Sequence, residues 1–159
     1  MKKSLIRDAI IAQLRAELAR QTTAAHLARD EAISEESRAE NKYDTHSQEA
    51  AYLAEGQARL AGEIEASIAH YTAMPLPDFA PGDVVALGAL VELETRGGGA
   101  WYFLGPRAGG LELDVARHPV LLLTPQSPLG RQLLGRRAGE SVRVPGRASA
   151  VEHRIRSVT

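Results

Sequence analysis

The residues best placed to do chemistry are acids gathered around one break in the chain. Glu35-Glu36-Ser37-Arg38-Ala39-Glu40-Asn41-Lys42-Tyr43-Asp44 is followed closely by Glu49. Carboxylates collected at the end of a rod can be carried into another molecule, far from the body of their own protein. They can also do less. Asp44, with Thr45 and Ser47 after it, is well placed to cap a helix N-terminus. Glu49 near the same helix start could simply favour the macrodipole. The other reactive residue types do not assemble. The absence of cysteine excludes a disulfide framework and any thiolate metal site. His118 and His153 are isolated and read as surface or sheet-edge histidines. Gly97-Gly98-Gly99 lacks a following lysine and helix, so it reads as a turn and not a phosphate loop.

Two helical stretches must position the acids, one over 4–36 and one over 44–74. In the first, Ile11, Leu14, Leu18, Gln21, Ala25, Ala28 and Ala32 recur three and four residues apart. In the second, Leu53, Gln57, Leu60, Ile64, Ser67 and Tyr71 keep that spacing. Two seams joined by a short break predict an antiparallel coiled-coil hairpin with an acidic tip. A helix of about 30 residues at ~1.5 Å each reaches about 45 Å. Such seams commonly serve dimerisation or spacing. These are short and partly polar, which argues against a long parallel dimer and predicts a monomer.

Composition changes near residue 75. Before it the chain is rich in Ala, Glu, Arg, Gln and Leu, and has no proline; after it Gly, Pro and Val dominate. Pro75, Pro77 and Pro81 forbid helix across the junction. The expected domains are therefore 1–76 and 77–159. In the second, 84–94 alternates as a strand, Gly97-Gly98-Gly99 turns, and 101–104 returns as its partner. Residues 120–123 read as a short buried strand or extended run. Ser127 and Pro128 open a two-turn helix that Gly135 closes in the left-handed conformation. Residues 140–145 and 148–158 supply two more strands. The predicted fold class is α+β: an N-terminal helical hairpin, then a small antiparallel-sheet domain with one short helix.

Net charge is −1, from 19 Lys and Arg against 20 Asp and Glu. That balance lacks the basic footprint of a protein that grips nucleic-acid phosphates. No unbroken apolar run follows the N-terminal lysines, and no stretch approaches the ~20 apolar residues of a membrane span. These features predict a cytoplasmic protein with no membrane contact and no independent nucleic-acid binding.

Two segments of the second half resemble a known family. They are 84–91, Val-Val-Ala-Leu-Gly-Ala-Leu-Val, and 127–142, Ser-Pro-Leu-Gly-Arg-Gln-Leu-Leu-Gly-Arg-Arg-Ala-Gly-Glu-Ser-Val. Both are similar to the C-terminal domain of the bacterial Gre transcript-cleavage factors, the transcription elongation factors of the GreA/GreB type. That resemblance covers about 84–158, and Tyr52 resembles the tyrosine that follows the family's acidic tip. The regulator of nucleoside diphosphate kinase shares the C-terminal domain but has a shorter hairpin, so hairpin length favours the Gre type.

The resemblance implies an FKBP-like C-terminal domain that binds RNA polymerase and a coiled coil that enters the polymerase's secondary channel. It also implies tip carboxylates that help hold a second Mg²⁺ of the polymerase active centre for cleavage of backtracked RNA. No cofactor of the chain's own is implied. The factor would activate the polymerase's intrinsic cleavage and would not itself be an enzyme. The acids this assigns are Asp44, Glu49 and Glu40, with Asp44 and Glu49 as the metal-facing pair. The family's usual tip is Asp, two residues, Glu, Asn, with the tyrosine four after that Glu. Four back from Tyr52 stands Gln48, Glu49 is one residue off, and Asp44 is one residue beyond the Asp position. Some family relatives occupy the channel without cleaving, which keeps a non-cleaving regulator as the alternative.

Overall fold

A computed structural model describes residues 1–36, 45–95, 98–144 and 151–159, with side chains described outside 31–51. The heptad-like spacing folds as two long helices, α1 (Lys3–Glu36) and α2 (Thr45–Ala73). Buried positions on α1 are Ile6, Ile10 and Leu14, one turn apart, so a single stripe is apolar. On α2 they are Ile64, Ser67 and Tyr71, at the spacing of the predicted seam. Ser67 tolerates burial because its hydroxyl donates to the Glu63 carbonyl at 2.8 Å. Toward the tip the seam weakens. Leu53 and Leu60 are 59% and 41% exposed, and Ala28 is exposed. Small side chains at Ala25 and Ala28 offer little apolar surface to cover a leucine.

The chain divides into two compact units, Ile11–Ala69 and a second made of Met1–Ile10 with His70–Thr159. The second unit holds a six-stranded sheet. Its strands are β1 (Leu90–Thr95), β2 (Gly98–Leu104), β3 (Glu112–Val115), β4 (His118–Leu123), β5 (Ser141–Val144) and β6 (Val151–Val158). They lie in the order β3-β4-β2-β1-β6-β5. A short helix, α3 (Pro128–Leu133), follows β4. The sheet is antiparallel except where β2 and β4 run parallel, in register Trp101↔Val120 through Leu104↔Leu123. The segment 84–89, expected as the start of a strand, instead bonds to the residues just after α3. Val85 N–H donates to Arg136 O at 2.7 Å, and Gly135 N–H to Val85 O at 2.9 Å. Gly88 adopts φ +83°, which stops an extended run there.

Strand alternation sorts the sheet's two faces. Val91, Leu93, Leu104, Leu123, Val142 and Ile155 form one core with Leu129 and Leu133 of α3. Leu90, Phe103 and Leu122 share the opposite face by register and are fully buried. Tyr71 meets this face. A Cβ on Gly105 would lie 3.0 Å from Tyr71 Cζ and 2.9 Å from Leu122 Cδ1, so glycine is what lets the phenol approach. The Tyr71 hydroxyl donates to the Arg107 carbonyl at 2.6 Å.

Burial pushes the Tyr71 phenol up to about 12. Below about pH 10 both folded and unfolded chains keep this proton, and its contribution is fully present. Between about pH 10 and 12 the unfolded chain releases the proton while the folded chain holds it, so stability falls. We expect denaturant titrations at pH 9 and 11.5 to show an extra loss on the order of 2 kcal/mol for wild type over Tyr71→Phe. Equal losses in both proteins would show that Tyr71 does not titrate this way.

Candidate functional site

α2 begins at Thr45 and runs unbroken through Tyr52. Its geometry therefore fixes how the acids near its start can face. Gln48 and Tyr52, four residues apart, share one helix face. Glu49, three residues before Tyr52, is turned about 100° from Gln48. Both positions lie inside the helix, and positions three and four before Tyr52 are both its neighbours on the rod. Tyr52 is 73% exposed and so projects from the rod near these residues. Glu40 and Asp44 lie outside the described residues, as does the Glu49 side chain. Among the described residues no group of three or more His, Cys, Asp or Glu could hold a metal.

Elsewhere several titratable side chains have structural partners. The His153 Nδ1 atom is 2.6 Å from the Glu94 carbonyl. His118 tilts against Trp101, with ring centroids 6.2 Å apart. Glu92 accepts from Arg156 at 2.8 Å and lies across Gly99, where a Cβ would collide with its carboxylate. Hydrogen bonds from the Arg136 side chain and the Arg137 backbone N–H hold the Glu140 carboxyl below its ordinary range. These are ties within the fold.

The string 127–142 folds as its sequence predicts. Ser127 caps α3, its hydroxyl accepting from Gly130 N–H at 3.0 Å and donating to Thr124 O at 2.8 Å. Pro128 takes the first helical position, and Gly135 adopts φ +77°. Leu129 and Leu133 are buried, whereas Leu134 is 38% exposed and the Arg131 and Arg136 side chains face solvent.

No family model matches the chain. No curated protein matches it either. Solved structures do. Among them are the GreA factor homolog 1 (Gfh1) of Thermus thermophilus, 22% identical over 95% of each chain with a TM-score of 0.40, and Gfh1 of Thermus aquaticus, 21% identical over 95% of this chain and 94% of that one with a TM-score of 0.41. A transcription elongation factor GreA/GreB from Nitrosomonas europaea is 19% identical over 70% of this chain and 92% of its own, with a TM-score of 0.38.

Sequence reasoning missed one arrangement in this half. The Gln132 carboxamide bonds the backbone of Arg143 twice. Only the packing of α3 beside β5 brings those residues together.

Proposed function

We propose that the chain is a Gre-type transcription elongation factor. Its sheet domain, 77–159, would dock on RNA polymerase and its hairpin would enter the secondary channel, stimulating cleavage of backtracked RNA. The observation that supports this most is the pairing of two parts. Helices of 34 and 29 residues flank an acid-rich break, and the same chain carries the family-like 127–142 string as a capped helix against a sheet. A plain coiled-coil scaffold has no reason to carry that string. In this reading Asp44 supplies a tip carboxylate, with Glu49 and Glu40 near it. A Mg²⁺ shared with the polymerase would stabilise attacking and leaving oxygens in hydrolysis. Such an ion needs only a few carboxylates, alongside water and phosphates. The protein would act as a cytoplasmic monomer with no cofactor of its own and no grip on nucleic acid in isolation.

A second reading has one observation in its favour. Gln48 stands where the family pattern has its Glu, and Glu49 lies one residue further along α2, about 100° around it. That favours a channel-binding regulator that does not cleave. The test is to add the protein to stalled, backtracked elongation complexes carrying end-labelled RNA. Short released fragments support cleavage. Silence together with inhibition of a cleaving Gre factor supports the regulator. Silence with no binding to polymerase defeats both.

A further inference from the structure

A hollow of about 330 Å³ opens on the surface of the unit that holds the sheet. Three stretches of chain build it. His70, Met74, Pro75 and Pro77 form one side, Leu87 a second and Pro106 a third. Backbone bonds fix these stretches. Gly88 N–H donates to Leu104 O at 2.8 Å, and Gly105 N–H to Leu123 O at 2.8 Å. Pro77 and Met74 press on Gly88, where a Cβ would lie 3.0 Å from Pro77 Cδ and 3.3 Å from Met74 Cε. The walls are therefore preorganised, which lowers the cost of binding.

Their chemistry limits what can enter. Pro75, Pro77 and Pro106 have no N–H to give. The Arg107 carbonyl beside them is already taken by the Tyr71 hydroxyl. A polar ligand would lose water here and gain little in return. An apolar side chain is the fitting occupant. The apolar surface also continues outside the hollow. Leu87 is 44% exposed, and Val84 and Leu134 are each 38% exposed. The bonds of Val85 with Gly135 and Arg136 set the 84–87 segment alongside 134–136.

The charge around this surface is cationic. Arg107 follows Pro106, Arg131 precedes Leu134 by three residues, and Arg136 and Arg137 follow it; all four are exposed. Among the described residues no salt bridge engages Arg107, Arg131 or Arg137. The acids nearby are committed within the fold. Glu140 accepts from Arg136 and from Arg137 N–H, Asp83 accepts from Ala80 N–H at 2.7 Å, and Asp78 lies near the Lys3 ammonium. An exposed apolar patch with a charged rim is the usual form of a protein-binding surface.

We propose that this surface takes an acidic amphipathic segment of another protein. Its apolar face would fill the hollow and cover Leu87, and its carboxylates would meet the arginines. A second copy of this chain fits poorly, since a two-fold contact would set the same arginines against each other. The inference rests on this surface alone and does not depend on the polymerase reading.

The probe is a fluorescein-labelled helical peptide with leucines on one face and glutamates along both flanks. Titration with the full chain, read by anisotropy, should show binding that weakens as salt rises. The same peptide with glutamine for every glutamate should bind at least about tenfold more weakly. Leu87→Ser and Arg107→Glu should each weaken the acidic peptide about tenfold. Both side chains are exposed, so neither change should move the urea midpoint by much. Val151→Ser, at a comparably exposed site on β6, should bind as wild type does. No binding of the acidic peptide, or equal binding of the glutamine peptide, would overturn the inference. Insensitivity to both Leu87→Ser and Arg107→Glu would place the peptide elsewhere and defeat it. Tighter binding to anionic phospholipid vesicles, with the same sensitivity to both substitutions, would assign the surface to a membrane instead. A dimer in sedimentation that Leu87→Ser abolishes would assign it to a second copy, and either result defeats the proposal.

Discussion

Asp44→Ala should remove at least about a hundredfold of any cleavage stimulation while leaving polymerase binding and folding nearly intact. The two effects separate because they have different sources. A tip residue contributes to the fold chiefly through capping, about 1 kcal/mol if it caps α2. A carboxylate that helps hold a metal at the reacting phosphate contributes to the barrier, where each ~1.4 kcal/mol is tenfold in rate. Asp44→Asn divides the roles cleanly. Asn caps as well as Asp, but it lacks the charge that Mg²⁺ selects. The expected outcome is a protein of wild-type stability that binds polymerase and releases few RNA fragments. Were Asp44→Asn to cleave like wild type, Asp44 would be a cap and nothing more, and the same substitution at Glu40 and Glu49 would decide between them. Were the wild-type protein to release nothing yet block a cleaving factor, the regulator reading would stand in its place.

The parts of this fold that could be read from sequence are those where local chemistry and final structure agree. The buried stripe Ile64, Ser67, Tyr71 follows directly from three- and four-residue spacing. α3 follows from Ser127, Pro128 and Gly135, each at the position its backbone preference dictates. β3 could not be read this way. It is four residues long, and its turn to β4 is made by Ala116 and Arg117 at φ +52° and +65°. Hairpin turns of this kind normally announce themselves with Asn or Gly. The parallel pairing of β2 with β4 was also invisible, because a strand's own pattern does not encode its neighbour's direction. Composition breaks at residue 75, yet Ile6, Ile10 and Tyr71 belong to the compact unit that holds the sheet. A helix end that packs elsewhere keeps a helix's composition, so no boundary shows.

The candidate site was legible in kind and less so in arrangement. Acids at a break between long helices stand out by residue type alone. Whether Glu49 can stand in for a residue at position 48 is a matter of rotation about α2, and that needs the helix's starting point. The Gln132 bonds to Arg143 show the same limit. An exposed glutamine on a short helix carries no mark of a strand residue eleven positions on.

Gly130 should tolerate no side chain. Its neighbours are the reason, since nothing about its backbone demands glycine. A Cβ there would collide with Thr124 O and lie 2.7 Å from Ser127 Oγ and 2.9 Å from Thr124 C. Two of those atoms are backbone and the third is the helix cap, so none can swing aside as the end of a flexible side chain could. Helix propensity alone would favour alanine at this position by about 1 kcal/mol. Overpacking of a buried site costs up to about 3 kcal/mol or more. Disturbing Ser127 would forfeit about 1 kcal/mol of capping besides. The clash therefore wins, and Gly130→Ala should lower the urea midpoint sharply at an unchanged slope. Gly135→Ala is the matched control. It has φ +77° and open space around the added carbon, so it should lose only about 1 kcal/mol through backbone strain. If Gly130→Ala were as stable as Gly135→Ala or more so, the 124–127 loop would have to yield at little cost, and the close fit of α3 to that loop would not be what holds the 127–142 string in place.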